Sequence, residues 1–313
     1  GAAQNKDIFL SDGTIFSVGG GFIEPFAMGG SSPINGLNDC GGKPCVEVKL
    51  EKNLKFRLVD AVGTSSFAAG AIISGSEGMT LLTEVLALGS VVPQQPYWPP
   101  SEVESSQETY SFTDGGNLEN FGVLSLLQRK VQRIVAFVIT SVPIDTAYVP
   151  ATQIPNAETI SYDFYTLFDT FTYQNHLHNQ VFSREDWIDV YNQFVTHIKM
   201  GDPATAKVKT QTLKNDWWGI PAGQEVEILW VYNSLPEKWM AEVSNLEVKA
   251  NIELGEYGEG PFPYFPFYKT EFPQWDEYKD FLVKYSPEMT KLLYELQFWN
   301  VFQYAEMYDF LKE

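Results

Sequence analysis

Three consecutive residues, Asp114, Gly115 and Gly116, combine a carboxylate with a backbone that can turn sharply. They follow residues 109–113, whose period-two alternation predicts a strand, and precede a leucine-rich stretch with helical spacing at residues 118–128. Where a strand leads into a helix, the unpaired N–H groups and the positive end of the helix dipole face the strand's carboxyl end, and ligands and catalytic groups gather there. Asp114 is therefore a candidate functional carboxylate. By spacing alone, Asp-Gly-Gly is also typical of a plain turn.

No serine of the chain lies in the sequence pattern that is typical of a serine nucleophile. Ser65 and Ser66 follow Gly63, but the segment lacks the second glycine of a nucleophile elbow, and no Gly-x-Ser-x-Gly occurs in the 313 residues. Residues 19–22, Gly-Gly-Gly-Phe, have the composition of an oxyanion loop. Because no helix signal follows them, a turn is the favoured interpretation.

The histidines and tryptophans offer two further kinds of site, a metal site and a lipid entrance. His176 and His178 form a His-x-His pair, but two ligands without an acidic or sulfur partner do not make a site, so no metal is expected. His197 falls on a predicted helix with polar neighbours and is expected to be only solvated, with no side-chain partner. Candidates for a lipid entrance are Trp217, Trp218 and the Pro-Phe loop within residues 257–273, with packing as the alternative.

The periodicity predicts an α/β chain. Residues 133–140 form an apolar run typical of a buried parallel strand, and residues 226–232 predict another strand. Ser183 and Asp186 predict the start of a helix that buries one face and stops at Gly201. Further predictions are a strand at 46–50, a turn at 63–66 that leads into a closely packed helix, a helix at 79–88, a surface loop at 92–108, an irregular loop at 257–273, and a last helical region from 286, with a break at Asn300. No linker is evident, so a single α/β domain over residues 1–313 is expected.

The charge balance limits the partners. With 21 basic and 40 acidic residues the net charge is −19, which repels phosphate backbones and excludes nucleic acid as an expected partner. The same charge disfavours anionic membranes, whereas peripheral contact with neutral lipid stays open. Cys40 and Cys45 are close enough for one small disulfide bridge and leave the compartment open, so cytoplasmic and secreted locations are both retained.

The segment around Asp114 resembles a known family. Asp114-Gly115-Gly116, followed by Glu119-Asn120, Leu126-Leu127 and the strand at 134–137, is similar to the Asp-Gly-Gly block of the cytosolic phospholipase A2 and lysophospholipase (phospholipase B) family, which is patatin-like. Family members usually have Asn-Leu-Pro after the block, whereas this chain has Asn120-Phe121-Gly122, so the entry into the helix is expected to differ.

Further segments resemble the same family in the same order. Upstream lie Cys45-Val46 and the stretch at 62–67, Val-Gly-Thr-Ser-Ser-Phe. Downstream lie residues 226–234, which resemble a late strand of the fold, and residues 262–266, a Pro-Phe loop before the last helices.

The resemblance implies a patatin-like catalytic fold, with a mostly parallel central sheet flanked by helices in three layers, of which this chain is the carboxy-terminal half. It implies a Ser-Asp dyad in which Asp114 is the base, Gly115 and Gly116 adjoin the substrate, and no cofactor is needed. The serine is expected from the protein's own amino-terminal fragment or from another chain. The implied substrates are phospholipid or lysophospholipid esters. A hydrolase-like structural or lipid-binding subunit is the alternative.

Overall fold

The structure, a computed structural model, describes part of the chain. The described residues are 5–9, 15–19, 38–39, 41–42, 44–45, 57–65, 94–97, 108–111, 115, 119–170, 179–267 and 285–312. The chain divides into two compact units. The amino-terminal unit comprises residues 1–120 and 217–219, and the carboxy-terminal unit comprises residues 121–216 and 220–313. The expectation of a single domain stays a prediction.

The amino-terminal unit contains antiparallel strand pairs and one described helix. Its elements are β1 (Asn5–Phe9), β2 (Ile15–Gly19), β3 (Asn38–Asp39), β4 (Pro44–Cys45), α1 (Leu58–Ser65), β5 (Gln94–Tyr97) and β6 (Glu108–Ser111). The pairs are β1 with β2, β3 with β4, and β5 with β6.

Two predictions for this unit were wrong. Residues 92–108 are not entirely loop, because β5 pairs with β6 and the Pro-rich composition masked the strand. Residues 63–65 were predicted as a turn, yet they form the end of α1. The predicted strand at 46–50 and helix at 79–88 lie outside the described residues, as does the side-chain chemistry of Cys40 and Cys45.

The carboxy-terminal unit mixes helices with a three-stranded sheet. Its elements are α2 (Val123–Gln128), β7 (Arg133–Val138), α3 (Tyr162–Tyr165), α4 (Arg184–Lys199), β8 (Thr205–Gln211), β9 (Glu225–Tyr232), α5 (Glu237–Glu242), α6 (Leu246–Gly255), α7 (Pro287–Gln303) and a C-terminal 3-10 helix (Ala305–Leu311). The predicted strands at 133–140 and 226–232 are confirmed as β7 and β9.

The sheet of this unit has the order β7-β9-β8. Strand β7 pairs with β9 in parallel, from Arg133 opposite Glu227 to Val138 opposite Tyr232. Strand β8 pairs with β9 antiparallel, as expected for consecutive strands joined by a returning connection. The α/β class is confirmed. A mostly parallel sheet is not found among the described strands, where the β7–β9 pairing is parallel and the other four are antiparallel.

Helix α4 forms as predicted. The Ser183 side chain accepts a hydrogen bond from the Asp186 N–H at 3.0 Å, and the Asp186 carboxylate accepts one from the Ser183 N–H at 2.9 Å, which completes a capping box. Gly201 ends the helical region with a φ of 73°, a left-handed conformation that favours glycine.

Strand β9 packs against helical segments on both faces. Trp230 and Tyr232 point toward an aromatic core formed with Phe164 of α3 and Phe194 of α4. Leu229 and Val231 form a cluster with Phe310 of the 3-10 helix, on the alternate side of the strand. The carboxy-terminal unit therefore places helical elements on both sides of its small sheet.

A second apolar core lies beneath α7. Phe262 and Phe265, from the predicted irregular loop, pack with Trp239, Ile252 and residues of α7. The predicted break at Asn300 was wrong, because α7 continues through this buried residue to Gln303. In residues 57–65, 119–170, 179–267 and 285–312, no helix is long and apolar enough to span a bilayer.

Candidate functional site

Asp114 and Gly116 lie outside the described residues. Strand β6 ends at Ser111, shortly before them, and Gly115 is exposed. The Gly115 carbonyl accepts a hydrogen bond from the Glu119 N–H at 3.0 Å, so the backbone turns directly after the predicted site. A side chain at Gly115 would meet no atom within 4 Å. The assignment of these three residues stays a prediction.

The strand arrangement next to Asp114 differs from the predicted strand-helix-strand unit. In the described part of the chain, β6 pairs with β5 in an antiparallel hairpin, whereas β7 belongs to the separate sheet with β9. Helix α2 precedes β7, but it begins at Val123 rather than at 118, after Gly122 with a φ of 72°. Gly122 belongs to the segment at 120–122, where the sequence differs from the Asn-Leu-Pro that is usual in the family described above.

A small cavity lies where the parallel strands β7 and β9 end. Its volume is about 180 Å³, and it opens beside residues that follow these strands. The lining residues are Pro143, Ile144, Ile198, Asp202, Asn233, Ser234, Leu235 and Phe267. The carboxyl ends of parallel strands commonly hold ligand sites. This cavity is therefore the candidate site that the described geometry offers.

Asn233 fixes the end of the parallel pair. Its side-chain oxygen accepts a hydrogen bond from the Thr140 N–H at 3.2 Å, and its amide donates to the Thr140 carbonyl at 3.1 Å and the Pro266 carbonyl at 3.2 Å. The residue is buried, so each of these backbone groups would lose a partner without it. Asn233 is thus a positioning residue.

Asp202 supplies the charge of the cavity. Its Oδ1 atom accepts hydrogen bonds from the Lys238 ammonium of α5 and from the Tyr304 hydroxyl beyond α7. Burial raises the pKa of the Asp202 carboxyl, but the two hydrogen bonds together with the positive charge of Lys238 hold that pKa below its ordinary value. The Tyr304 pKa is raised, first by burial and then by the carboxylate.

These shifts define what the cavity can do chemically. A carboxylate with a lowered pKa is ionised at neutral pH and is a weak general base. Ser234 offers a hydroxyl whose oxygen accepts a hydrogen bond from the Ala204 N–H at 3.0 Å, whereas the Asp202 carboxylate of the same cavity accepts from Lys238 and Tyr304. The cavity therefore fits binding of a small group. Asp202, with its bonds to Lys238 and Tyr304, also connects the end of α4 to α5 and to the start of the 3-10 helix.

The remaining predicted candidates do not join this site. The prediction that His197 is only solvated was wrong, because its Nδ1 atom lies 2.8 Å from the Thr205 hydroxyl. Ser65 ends α1 and Gly19 ends β2. Ser66, residues 20–22, His176 and His178 lie outside the described residues. Within those described, no three His, Cys, Asp or Glu residues are grouped as for a metal ion.

The aromatic candidates for a lipid entrance are largely packed. Trp218 is buried, as are Phe262 and Phe265 of the Pro-Phe loop. Packing, the alternative that the sequence left open, is what the structure shows for these three side chains.

Sequence reasoning missed the Asp202 cluster. Asp202 follows the predicted helix stop Gly201, and Asn233 follows a predicted buried strand, so the rule on strand ends gives a signal for Asn233. No local signal identifies Lys238 and Tyr304, which are separated from Asp202 by 36 and 102 residues.

Comparison with known proteins identifies no relative of this chain. No family model matches the chain, and no curated protein or solved structure shows significant similarity to it.

Proposed function

We propose that this chain is part of a lipid acyl hydrolase of the cytosolic phospholipase A2 and lysophospholipase type, with a patatin-like fold. The observation that carries the proposal is the order of five similar segments along the chain, at 45–46, 62–67, 114–137, 226–234 and 262–266. The parallel pairing of β7 with β9 supports it, since two of the segments contain these strands. The described antiparallel pairings add no support.

The proposed chemistry is ester hydrolysis by a Ser-Asp dyad. The Asp114 carboxylate accepts the proton of a serine hydroxyl, the serine oxygen attacks the ester carbonyl, and an acyl-enzyme forms that water then hydrolyses. Gly115 and Gly116 leave space for the substrate. The serine and the oxyanion loop come from polypeptide outside these 313 residues, either the same protein's amino-terminal part or another chain. The substrates are glycerophospholipid or lysophospholipid esters.

The test uses the protein purified from its natural host by a tag on this chain. A fluorophosphonate probe, which labels activated serines, should label a polypeptide that co-purifies or is continuous with the tagged chain, and not a serine within residues 1–313. Asp114→Asn should lower phospholipid hydrolysis by about 10²- to 10⁴-fold, the contribution of a general base.

Asp216→Asn is the matched control. It removes an exposed carboxylate paired with Lys214, and hydrolysis should stay at the wild-type rate. Absence of labelling and hydrolysis in the native material, or full hydrolysis by Asp114→Asn, would overturn the proposal.

A second candidate is a non-catalytic, hydrolase-like lipid-binding or structural subunit. It is favoured by the lack of any Gly-x-Ser-x-Gly in these 313 residues. Native material that is not labelled but sediments with neutral lipid vesicles supports this candidate over the first. Failure to label and failure to sediment would exclude both lipid functions.

A further inference from the structure

An open groove separates α7 from α5 and the start of α6. Its volume is about 590 Å³, more than three times that of the cavity beside Asp202. Its lining is mainly aromatic and carboxylate. The aromatic and carboxylate side chains of the lining are Trp239, Glu242, Tyr294, Glu295, Phe298, Trp299 and Phe302.

The aromatic wall of the groove is a ladder on α7. Tyr294, Phe298 and Phe302 recur every fourth residue and so lie above one another on one helix face. Neighbouring ring centroids are 6.2 Å and 6.0 Å apart, and the rings of Phe298 and Phe302 are inclined by 11°. The three residues are 67%, 58% and 71% exposed. Large parts of these three side chains are therefore accessible to a ligand.

The groove also carries negative charge. Glu242 accepts a hydrogen bond from the Trp299 indole N–H at 2.9 Å, which fixes that indole beside a carboxylate. Glu295 has Lys291 at 3.8 Å, a long and exposed contact that leaves the carboxylate accessible. Among the described residues that line the groove, none is Lys, Arg or His. Aromatic faces and carboxylates both favour a cation.

We propose that this groove binds a quaternary ammonium cation of choline size. The positive charge is attracted by the ring faces and by Glu242 and Glu295, and the apolar methyl groups cost less to desolvate than a primary ammonium. A phosphate on the ligand would approach the two carboxylates in a chain with a net charge of −19, so a simple cation is preferred over a phosphocholine. This site is independent of the proposed hydrolase function.

Isothermal titration calorimetry with choline chloride tests the proposal on the full chain. The neutral isostere 3,3-dimethyl-1-butanol has the same shape without the charge, and it should bind at least about tenfold more weakly because cation–π and carboxylate attraction are lost. Raising the salt concentration should weaken choline binding. Equal affinity for the alcohol and choline, or no heat with choline, would overturn the assignment.

Paired variants locate the site. Phe298→Leu keeps an apolar side chain but removes the ring, and it should weaken choline binding about three- to tenfold. Tyr257→Leu, an exposed ring outside the groove, should leave binding unchanged. Glu242→Gln retains an acceptor for Trp299 and should also weaken binding, whereas Glu259→Gln should not.

Phosphocholine and phosphatidylcholine vesicles distinguish the ligand source. The proposal expects weaker binding of phosphocholine than of choline and no vesicle association that depends on Phe298. Phosphocholine binding as tight as choline binding would contradict the choice of a simple cation. Loss of affinity in the control variants as well as in the groove variants would contradict the location.

Discussion

Aromatic side chains occupy two contrasting regions of the carboxy-terminal unit. Beneath α4 they form a closed core, in which Phe164 contacts Trp187, Trp230 and several other rings at centroid distances of 5.0 to 6.2 Å. On the outer face of α7, the rings of Tyr294, Phe298 and Phe302 stack along the helix and remain exposed.

The two helices explain this difference. Helix α4 has apolar residues on one face, which is buried, and polar residues on the other. Helix α7 buries Met289, Leu292 and Leu296 on one face and still carries aromatic residues on the opposite one. Core packing accounts for the first set of rings and leaves the second unexplained. The same residue type therefore indicates stability in one region and a binding surface in the other.

The largest expected effect separates these two regions directly. Phe164→Ala should lower the free energy of unfolding by about 3–5 kcal/mol, because the fully buried ring leaves a cavity among its aromatic neighbours. Phe298→Ala is the matched change on α7 and should stay within about 1 kcal/mol of wild type. Urea unfolding followed by tryptophan fluorescence measures both. Similar losses from the two substitutions would show that the α7 rings are part of a core.

An intermediate effect is expected for Asp202, whose carboxylate bonds to Lys238 of α5 and to Tyr304 beyond α7. Asp202→Asn should lower the free energy of unfolding by about 1–2 kcal/mol, since the buried carboxylate loses charge-assisted bonds to Lys238 and Tyr304, and half-exposed Lys238 limits the loss. The exposed Asp216→Asn serves as the control and should have little effect.

The Asp202 contribution should also depend on pH. The folded pKa lies below the ordinary value, so the stabilisation is present above about pH 4 and disappears as the pH falls through the lowered pKa. Unfolding curves of wild type and Asp202→Asn should converge in acid. A difference that stays constant down to that range would contradict the assignment.

Effects of similar or smaller size are expected at the N-terminal caps of the two helices. Ser183→Ala removes the α4 cap to the Asp186 N–H and a hydroxyl bond to the Asp186 carboxylate at 2.7 Å, for a loss of about 1–2 kcal/mol. Ser286→Ala removes one bond to the Met289 N–H at 3.0 Å, for a loss of about 0.5–1 kcal/mol. Thermal unfolding gives both values. A larger loss for Ser286→Ala would reverse the order of the two caps.

Helices and strands were predicted correctly where a cap or an apolar run in the neighbouring residues marks them clearly. The capping box at Ser183, the stop at Gly201 and the strands β7 and β9 follow from neighbouring residues. Strand β5 was missed because Pro96 and its neighbours resemble a loop, and strand pairing with β6 outweighs that composition. The break at Asn300 was wrong because burial within α7 outweighs the residue's weak helix propensity.

The candidate cavity was much less predictable. Asn233 was visible as a polar residue after a buried strand, but its partner Thr140 is 93 residues away. The catalytic role predicted for Asp114 rests on the resemblance, and Asp114 and Gly116 lie outside the described residues. The groove beside α7 was not predicted. The sequence shows a high aromatic content, but it does not show which aromatic side chains are buried in a core and which are exposed.

By itself, the amino-acid sequence determined the α/β class, the start and end of α4 and the acidic charge, because helix caps, periodicity and charge are properties of neighbouring residues or of composition. Tertiary structure alone decided that β8 joins the sheet antiparallel, that Asp202 meets Lys238 and Tyr304, and that one set of rings is buried while another is exposed. Each of these outcomes depends on contacts between residues distant in the chain, and only packing of the folded elements selects them.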